Sequence, residues 1–261
     1  MKDYNFDVEK NTKNCIQWIK DWFENNCPGH NAVIGLSGGK DSTIAAALCA
    51  EALGPDRVIG VAMPDYGQGV NEADEIARHL GIRYMKAPIE DITSGFHNMW
   101  IHFHDEDFKW SLQSEQNIPP RIRMTMLYAI AQTFKGVVIN TCNVSEDYLG
   151  YATLFGDSAG SMSPISGFTV TELLQIGDYL ELPYKWVHKT PDDGLPHSTS
   201  DENKFGFTYK ELDDYIRKGI EPVGYCNNNP GELKIDNIKR RYVQNKFKTD
   251  IIRIPHFEPE F

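Results

Sequence analysis

Ala32-Val33-Ile34-Gly35-Leu36-Ser37-Gly38-Gly39-Lys40-Asp41-Ser42-Thr43 is the stretch on which the fold of this chain turns. An apolar run ends in a glycine-rich turn, and Thr43 to Leu53 continues as an alanine-rich apolar segment. That order predicts a short buried strand, a tight turn and a buried helix. The Gly38-Gly39 pair lets the backbone turn sharply and keeps Cβ atoms away from a ligand. Amide groups left free at the helix start, helped by the positive end of the helix dipole, suit an anion. Ser37 and Ser42 add hydroxyl donors, and Asp41 is placed to hold a divalent cation that bridges phosphates. The Walker loop does not fit. Ile34 stands where its first glycine belongs, and Asp41 where Ser or Thr should follow the lysine.

Outward from this stretch, strand and helix patterns alternate. Arg57 to Met63 and Ile82 to Ala87 read as strands, with a helix between them from Asn71 to the glycine stop at Gly81. Asp7 to Asn26 reads as a preceding helix, and Val137 to Thr141 as a fourth strand. Strand–helix–strand spacing of this kind implies parallel βαβ units with right-handed crossovers. Such sheets bind ligands beyond the carboxyl ends of their strands, at a topological switch point. The expectation is a doubly wound α/β fold, a parallel sheet of about five strands flanked by helices, with a C-terminal helical extension. No boundary or repeat divides the chain, so residues 1–261 read as one domain.

The weaker segments give weaker expectations. Between Ile89 and Gln116 aromatic residues surround His97, His102 and His104, which lack a third ligand at metal-binding spacing and read as packing or surface histidines. Pro119-Pro120 is expected to open a helix running through Phe134. Thr169 to Leu182, Tyr209 to Lys218 and Glu232 to Lys248 read as helices, the last of them basic. Pro191 to Asn203 reads as a polar loop suited to a mobile lid.

Composition narrows the class. The chain has 261 residues, 41% hydrophobic and 24% charged, as in a soluble globular protein. A net charge of −11 argues against a nucleic-acid partner. The five cysteines are widely spaced and form no Cys-x-x-Cys pair, which points to reduced structural thiols rather than a zinc or redox site. With no signal-peptide pattern and no apolar run of membrane-spanning length, the expected location is the cytoplasm, away from any membrane.

The Ser-Gly-Gly-x-Asp-Ser turn resembles the loop of the ATP pyrophosphatase (PP-loop) superfamily, which cleaves ATP between its α- and β-phosphates and adenylates a substrate. Further motifs follow in the order seen in NAD synthetases. They include Asn117-Ile118-Pro119-Pro120-Arg121-Ile122-Arg123, Thr141-x-Asn143-x-Ser145-Glu146, Gly150-Tyr151-x-Thr153, Gly156-Asp157, Ser200-Asp201-Glu202 and Leu212-Asp213-Asp214-Tyr215-Ile216. The resemblance runs from about residue 15 to 245. It implies an adenine nucleotide alpha hydrolase-like fold and the ATP-dependent amidation of deamido-NAD by ammonia through an acyl-adenylate. It further implies that Gly35, Leu36, Ser37, Gly38, Gly39, Lys40, Asp41 and Ser42 bind ATP, with Thr141 near the adenylate. Arg123 and Tyr128 would meet deamido-NAD, and Asp41 and Glu146 would hold Mg²⁺ and act in catalysis. The family's glutamine-using members carry an additional amidase domain, for which this chain has no length, so the ammonia-dependent type is expected. So is a homodimer, with Phe96 to Trp110 and the Pro119–Phe134 helix as interface.

Several positions depart from the family pattern. Ala62, Leu154, Ser161, Val170, Asp192 and Phe247 stand where arginine, lysine, aspartate, lysine, Ser or Thr, and histidine are usual. The nucleotide half is intact and the second-substrate half is altered. A divergent adenylating ligase for another carboxylate, or a non-catalytic nucleotide-binding homologue, are the rival expectations.

Overall fold

Alternating side chains divide the central strands between two apolar layers. The computed structural model describes residues 4–66, 71–99, 109–189, 200–251 and 256–260. In β1 (Asn31–Gly35), Ala32 and Ile34 enter one buried cluster while Val33 enters another. In β2 (Val58–Ala62), Val58 and Ala62 join the first cluster, Ile59 and Val61 the second. This period-two division is what a sheet covered on both faces requires. Each fully buried aliphatic side chain contributes about 1.5–3 kcal/mol.

The first layer packs α1 (Val8–Asn26), α2 (Lys40–Leu53), α3 (Asn71–Leu80) and α7 (Val170–Tyr179) against one face. The second packs the long helix α5 (Leu112–Thr133) on the other, with Ile118, Ile122 and Ile130 inward. Helix α4 (Glu90–Asn98) packs against α5.

Among the described residues the sheet has four parallel strands, ordered β3 (Arg83–Lys86), β2, β1, β4 (Gly136–Val138). One parallel bridge, Ile139 to Met162, lies beyond the last strand where the expected fifth would stand. The chain winds outward from β1 to β3 and then crosses back to place β4 on the other side of β1. The switch point therefore lies between the carboxyl ends of β1 and β4.

The structure revises several boundaries. α5 begins at Leu112, not at Pro119, because Ser111 caps it by accepting the Ser114 amide, and both prolines lie inside. Glu232 and Leu233 belong to a hairpin, β5 (Tyr225–Cys226) with β6 (Asn229–Leu233), and the basic helix α11 runs from Lys234 to Ile251. Asp201 to Asn203, expected as loop, begin the short helix α9 (Asp201–Phe205). The rest of the expected lid, residues 191–199, lies outside the described residues, as do His102, His104 and most of the expected Phe96–Trp110 interface. Two further short helices, α6 (Val144–Leu149) and α8 (Tyr184–Val187), precede α9. α10 (Tyr209–Lys218) follows it. With α6 and α11 it encloses a third cluster, built on Leu149, Phe205, Phe207, Leu212 and Ile238.

Candidate active site at the switch point

Two loops meet at the carboxyl edge, one from β1 and one from β4. The first is anchored by Leu36, whose amide donates to Val61 O at 2.8 Å and whose side chain fills the space left by Gly60. A Cβ at position 60 would lie 2.3 Å from Leu36 Cδ1, so the Leu36 side chain keeps this position only over a glycine. Gly38 follows with φ +83°, a conformation that favours glycine. Serine hydroxyls then brace the turn. Ser37 Oγ lies 3.2 Å from Ser42 Oγ and accepts the Gly39 amide at 3.2 Å, while Ser42 Oγ and Thr43 Oγ1 donate to Gly39 O. Gly39 is the N-cap of α2 and has no side chain to cap it. The first-turn amides are thus presented by a braced loop at a helix N-terminus.

Asp41 does not cap its own helix. It lies in the first turn of α2, with Oδ2 receiving Lys40 Nζ at 2.9 Å and Oδ1 receiving Asn143 Nδ2 at 3.1 Å. Asn143 comes from the other loop, where it caps α6 by accepting the Glu146 amide at 3.0 Å. One amide side chain thereby joins the start of α6 to the start of α2. Asn140 braces the same loop, accepting the Cys142 amide and the Ser163 hydroxyl and donating to Asp157 O. Thr141 is half-buried between β4 and α6.

The electrostatics are concentrated here. Burial and the neighbouring Asp41 carboxylate push the Glu146 carboxyl well above the usual range, against the opposing pull of Lys40. Lys40 itself is only 6% exposed. Burial lowers its proton affinity, but Asp41, Glu146 and Asp201 more than offset this and its pKa is raised. The Tyr209 ring lies 5.7 Å from the ammonium. Asp201, at the start of α9, accepts the Tyr151 hydroxyl at 2.9 Å and lies 3.7 Å from Lys204 Nζ.

These donors fit a divalent cation shared with a phosphate chain. Mg²⁺ takes hard oxygens, one or two of them from carboxylates, and completes its shell with phosphate and water. Asp41 and Glu146 offer two such carboxylates from separate loops, with negative charge that Lys40 leaves incompletely neutralised. No group of three or more His, Cys, Asp or Glu able to hold a metal occurs among the described residues.

The structure thus brings the 35–42 loop, Thr141 and Glu146 to one edge. Arg123 reaches the neighbouring strand end, donating from Nε to Met63 O at 3.0 Å. Burial lowers its pKa, opposed by Asp65 and Asp157. Tyr128 is half-buried against the apolar cluster beneath α5.

The departing positions have ordinary structural places. Ala62 is buried in β2, Ser161 donates its amide to Val138 O, and Val170 opens α7 with its amide on Ser145 Oγ. Leu154 accepts Arg121 Nε through its carbonyl, Phe247 is half exposed, and Asp192 lies outside the described residues.

Sequence reasoning gave no role to Asn143 and did not foresee the burial of Lys40 or the approach of Asp201 and Tyr209. Asn143 could have been found, since Asn-x-x-Glu before a helix is a capping pattern. The other three meet only through the tertiary fold.

Residues 11–251 match the NAD synthase family model. The NH3-dependent NAD+ synthetase of Carboxydothermus hydrogenoformans is 34% identical over 254 residues, covering 95% of this chain and 97% of that one. The corresponding enzyme of Archaeoglobus fulgidus is 37% identical, covering 81% of each chain. Among solved structures, the NMN synthetase of Francisella tularensis superposes with a TM-score of 0.82 at 28% identity, over 97% of this chain and all of that one. The NH3-dependent NAD synthetase of Campylobacter jejuni gives a TM-score of 0.72 at 27% identity, over 95% and 99%. With its phosphate-type loop, its switch point and these relatives, the chain belongs to the NAD synthase family.

Proposed function

We propose that this protein is an ammonia-dependent NAD synthetase. The nicotinate carboxylate of deamido-NAD attacks the α-phosphorus of ATP, the bond to the β-phosphate oxygen breaks, and pyrophosphate leaves. Ammonia then adds to the acyl-adenylate, AMP departs, and the nitrogen loses a proton to leave the amide. The observation that supports this reading most is the Asp41–Asn143–Glu146 junction, in which Asn143 donates to the Asp41 carboxylate and accepts the Glu146 amide beside a braced glycine-rich loop.

In this reading the Gly35–Ser42 amides and hydroxyls hold the phosphates, and Thr141 lies beside the adenylate. Arg123 and Tyr128 face deamido-NAD. Asp41 and Glu146 would hold Mg²⁺, whose positive charge would supply electrostatic stabilisation beside the phosphates. Asn143 fixes the relative position of the two carboxylates. The protein acts in the cytoplasm as a homodimer.

A second reading is favoured by the Francisella structure, whose TM-score exceeds that of the Campylobacter NAD synthetase. In that reading the product is NMN, and the acceptor is the mononucleotide acid whose amide NMN is. The altered positions Leu154 and Ser161 agree with a reduced second-substrate contact. Incubation with ATP, Mg²⁺, ammonium and each acceptor separates the two. NAD, AMP and pyrophosphate in equal amounts from deamido-NAD, at the higher kcat/KM, is the expected result. A kcat/KM about tenfold higher for the mononucleotide would replace the first reading with the second.

A further inference from the structure

Lys40 occupies a position that helices rarely give to a cation. It is the first residue of α2, at the positive end of the helix dipole, and it is buried. A buried ammonium persists only among close negative partners. Here they come from three other places in the fold as well as from its own neighbour. Asp41 Oδ2 lies 2.9 Å away, the carboxylates of Glu146 from α6 and Asp201 from α9 act on it, and the Tyr209 ring of α10 faces it at 5.7 Å. Asp201 is in turn fixed by Tyr151 and Lys204. The ammonium is therefore housed, rather than draped over the nearest acid.

We infer that Lys40 is a resident counter-cation for the Asp41–Glu146 pair, excluding a divalent cation from it until a nucleotide arrives. The inference rests on the reading of those two carboxylates as the metal-holding pair. A divalent ion approaching them alone meets the like charge of Lys40 at contact range, and close like charges repel strongly where solvent is excluded. A phosphate chain on the adjoining loop brings several negative charges and can hold both cations at once. Metal and nucleotide then bind together, and the free protein resists the metal. A lysine that serves only as a phosphate ligand predicts otherwise: its loss weakens nucleotide binding and leaves metal affinity in the free protein unchanged.

The test is an Mn²⁺ titration of the full-length protein without nucleotide, read from the electron paramagnetic resonance of free Mn²⁺. Lys40→Met is expected to bind Mn²⁺ at least about tenfold more tightly than wild type, with the gain abolished by adding Glu146→Gln. Affinities within about twofold, or a gain that survives Glu146→Gln, would overturn the inference. Lys40→Gln provides a polar second variant, and circular dichroism confirms that each is folded. Repeating the titration with a non-hydrolysable ATP analogue separates the two levels of the argument. Wild-type Mn²⁺ binding that is lost in Asp41→Asn upholds the metal site even if Lys40 proves irrelevant to it. Binding indifferent to both Asp41→Asn and Glu146→Gln removes the metal site, and the counter-cation with it.

Discussion

Glu146 and Glu172 begin alike and end differently. Each is the third residue of a helix, after an N-cap of Asn143 in α6 and Thr169 in α7. In α7 the capping box closes: Thr169 accepts the Glu172 amide, and Glu172 accepts the Thr169 amide at 2.7 Å. Arg217 then grips both oxygens of Glu172 from Nε and Nη2 at 2.7 and 2.8 Å, and Tyr4 adds its hydroxyl at 2.8 Å. In α6 only the asparagine half of the box forms, and the glutamate faces Asp41 and Lys40 instead. The same local grammar thus produces one acid gripped by an arginine in the scaffold and another set beside Asp41 and Lys40. What distinguishes them is supplied by distant elements, Arg217 of α10 in one case and Asp41 of α2 in the other.

Mutation should separate the two roles. Removing one partner of a buried ion pair leaves the other uncompensated, so Glu172→Ala should cost about 3–5 kcal/mol of unfolding free energy. Turnover per folded molecule should change by less than about twofold, since Glu172 touches nothing at the switch point. Denaturant unfolding and active-site-normalised turnover together measure this. Glu146→Gln should do the reverse. Turnover should fall by about two to three orders of magnitude, as for the loss of one strong electrostatic stabiliser, and Asp41→Asn should behave likewise. Stability in Glu146→Gln should change little, because the substitution keeps the side chain's size and replaces an acid that burial and Asp41 already hold toward its neutral form. If both glutamates lost stability and activity in parallel, the division would fail.

How much of this was legible beforehand follows from the range of the interactions. Ile34-Gly35 through Thr43 could be read as strand, turn and helix because the pattern is local and the glycine constraint is severe. Tyr209 to Lys218 came out residue for residue, since a Thr208–Glu211 capping box opens the helix and Gly219 closes it in the left-handed conformation. The start of α5 was missed because the double proline is the louder signal, while Ser111 caps the helix two turns earlier. At the site, the loop and Glu146 carried motifs. The housing of Lys40 could not be read, because Asp201 and Tyr209, although Asp201 lies in a motif of its own, are more than 150 residues away and meet Lys40 only in the tertiary fold. Val170, which stands where the family pattern has a lysine, has a structural place of its own. It is the apolar first residue of α7, set against the third cluster.

Asp213 is the intermediate case. It sits buried on α10 between the two helix starts, with Oδ1 receiving Ser145 Oγ at 2.6 Å and Oδ2 receiving the Thr171 amide at 2.8 Å. It is hydrogen-bonded like Glu172 but has no bidentate arginine. Burial pushes its carboxyl up to about 6, against those two hydrogen bonds and with a further push from Glu172. Because the folded pKa exceeds the unfolded one, the folded protein holds a proton that the unfolded chain has already released between pH 3.8 and about 6. Asp213 therefore adds stability that is full below that window and gone above it, opposite in sign to a salt-bridged carboxylate. A shift of this size corresponds to about 2–3 kcal/mol. Asp213→Asn cannot titrate, so its stability relative to wild type should improve by about that amount between pH 4 and pH 7. Replacing one acceptor oxygen with an amide facing Thr171 N–H adds a constant penalty of about 1–3 kcal/mol, which moves the whole curve and not its slope. Chemical denaturation of both proteins across that range decides the matter. A stability difference that stays flat with pH would mean that Asp213 keeps its ordinary proton affinity in the fold, and that burial is offset by its two hydrogen bonds.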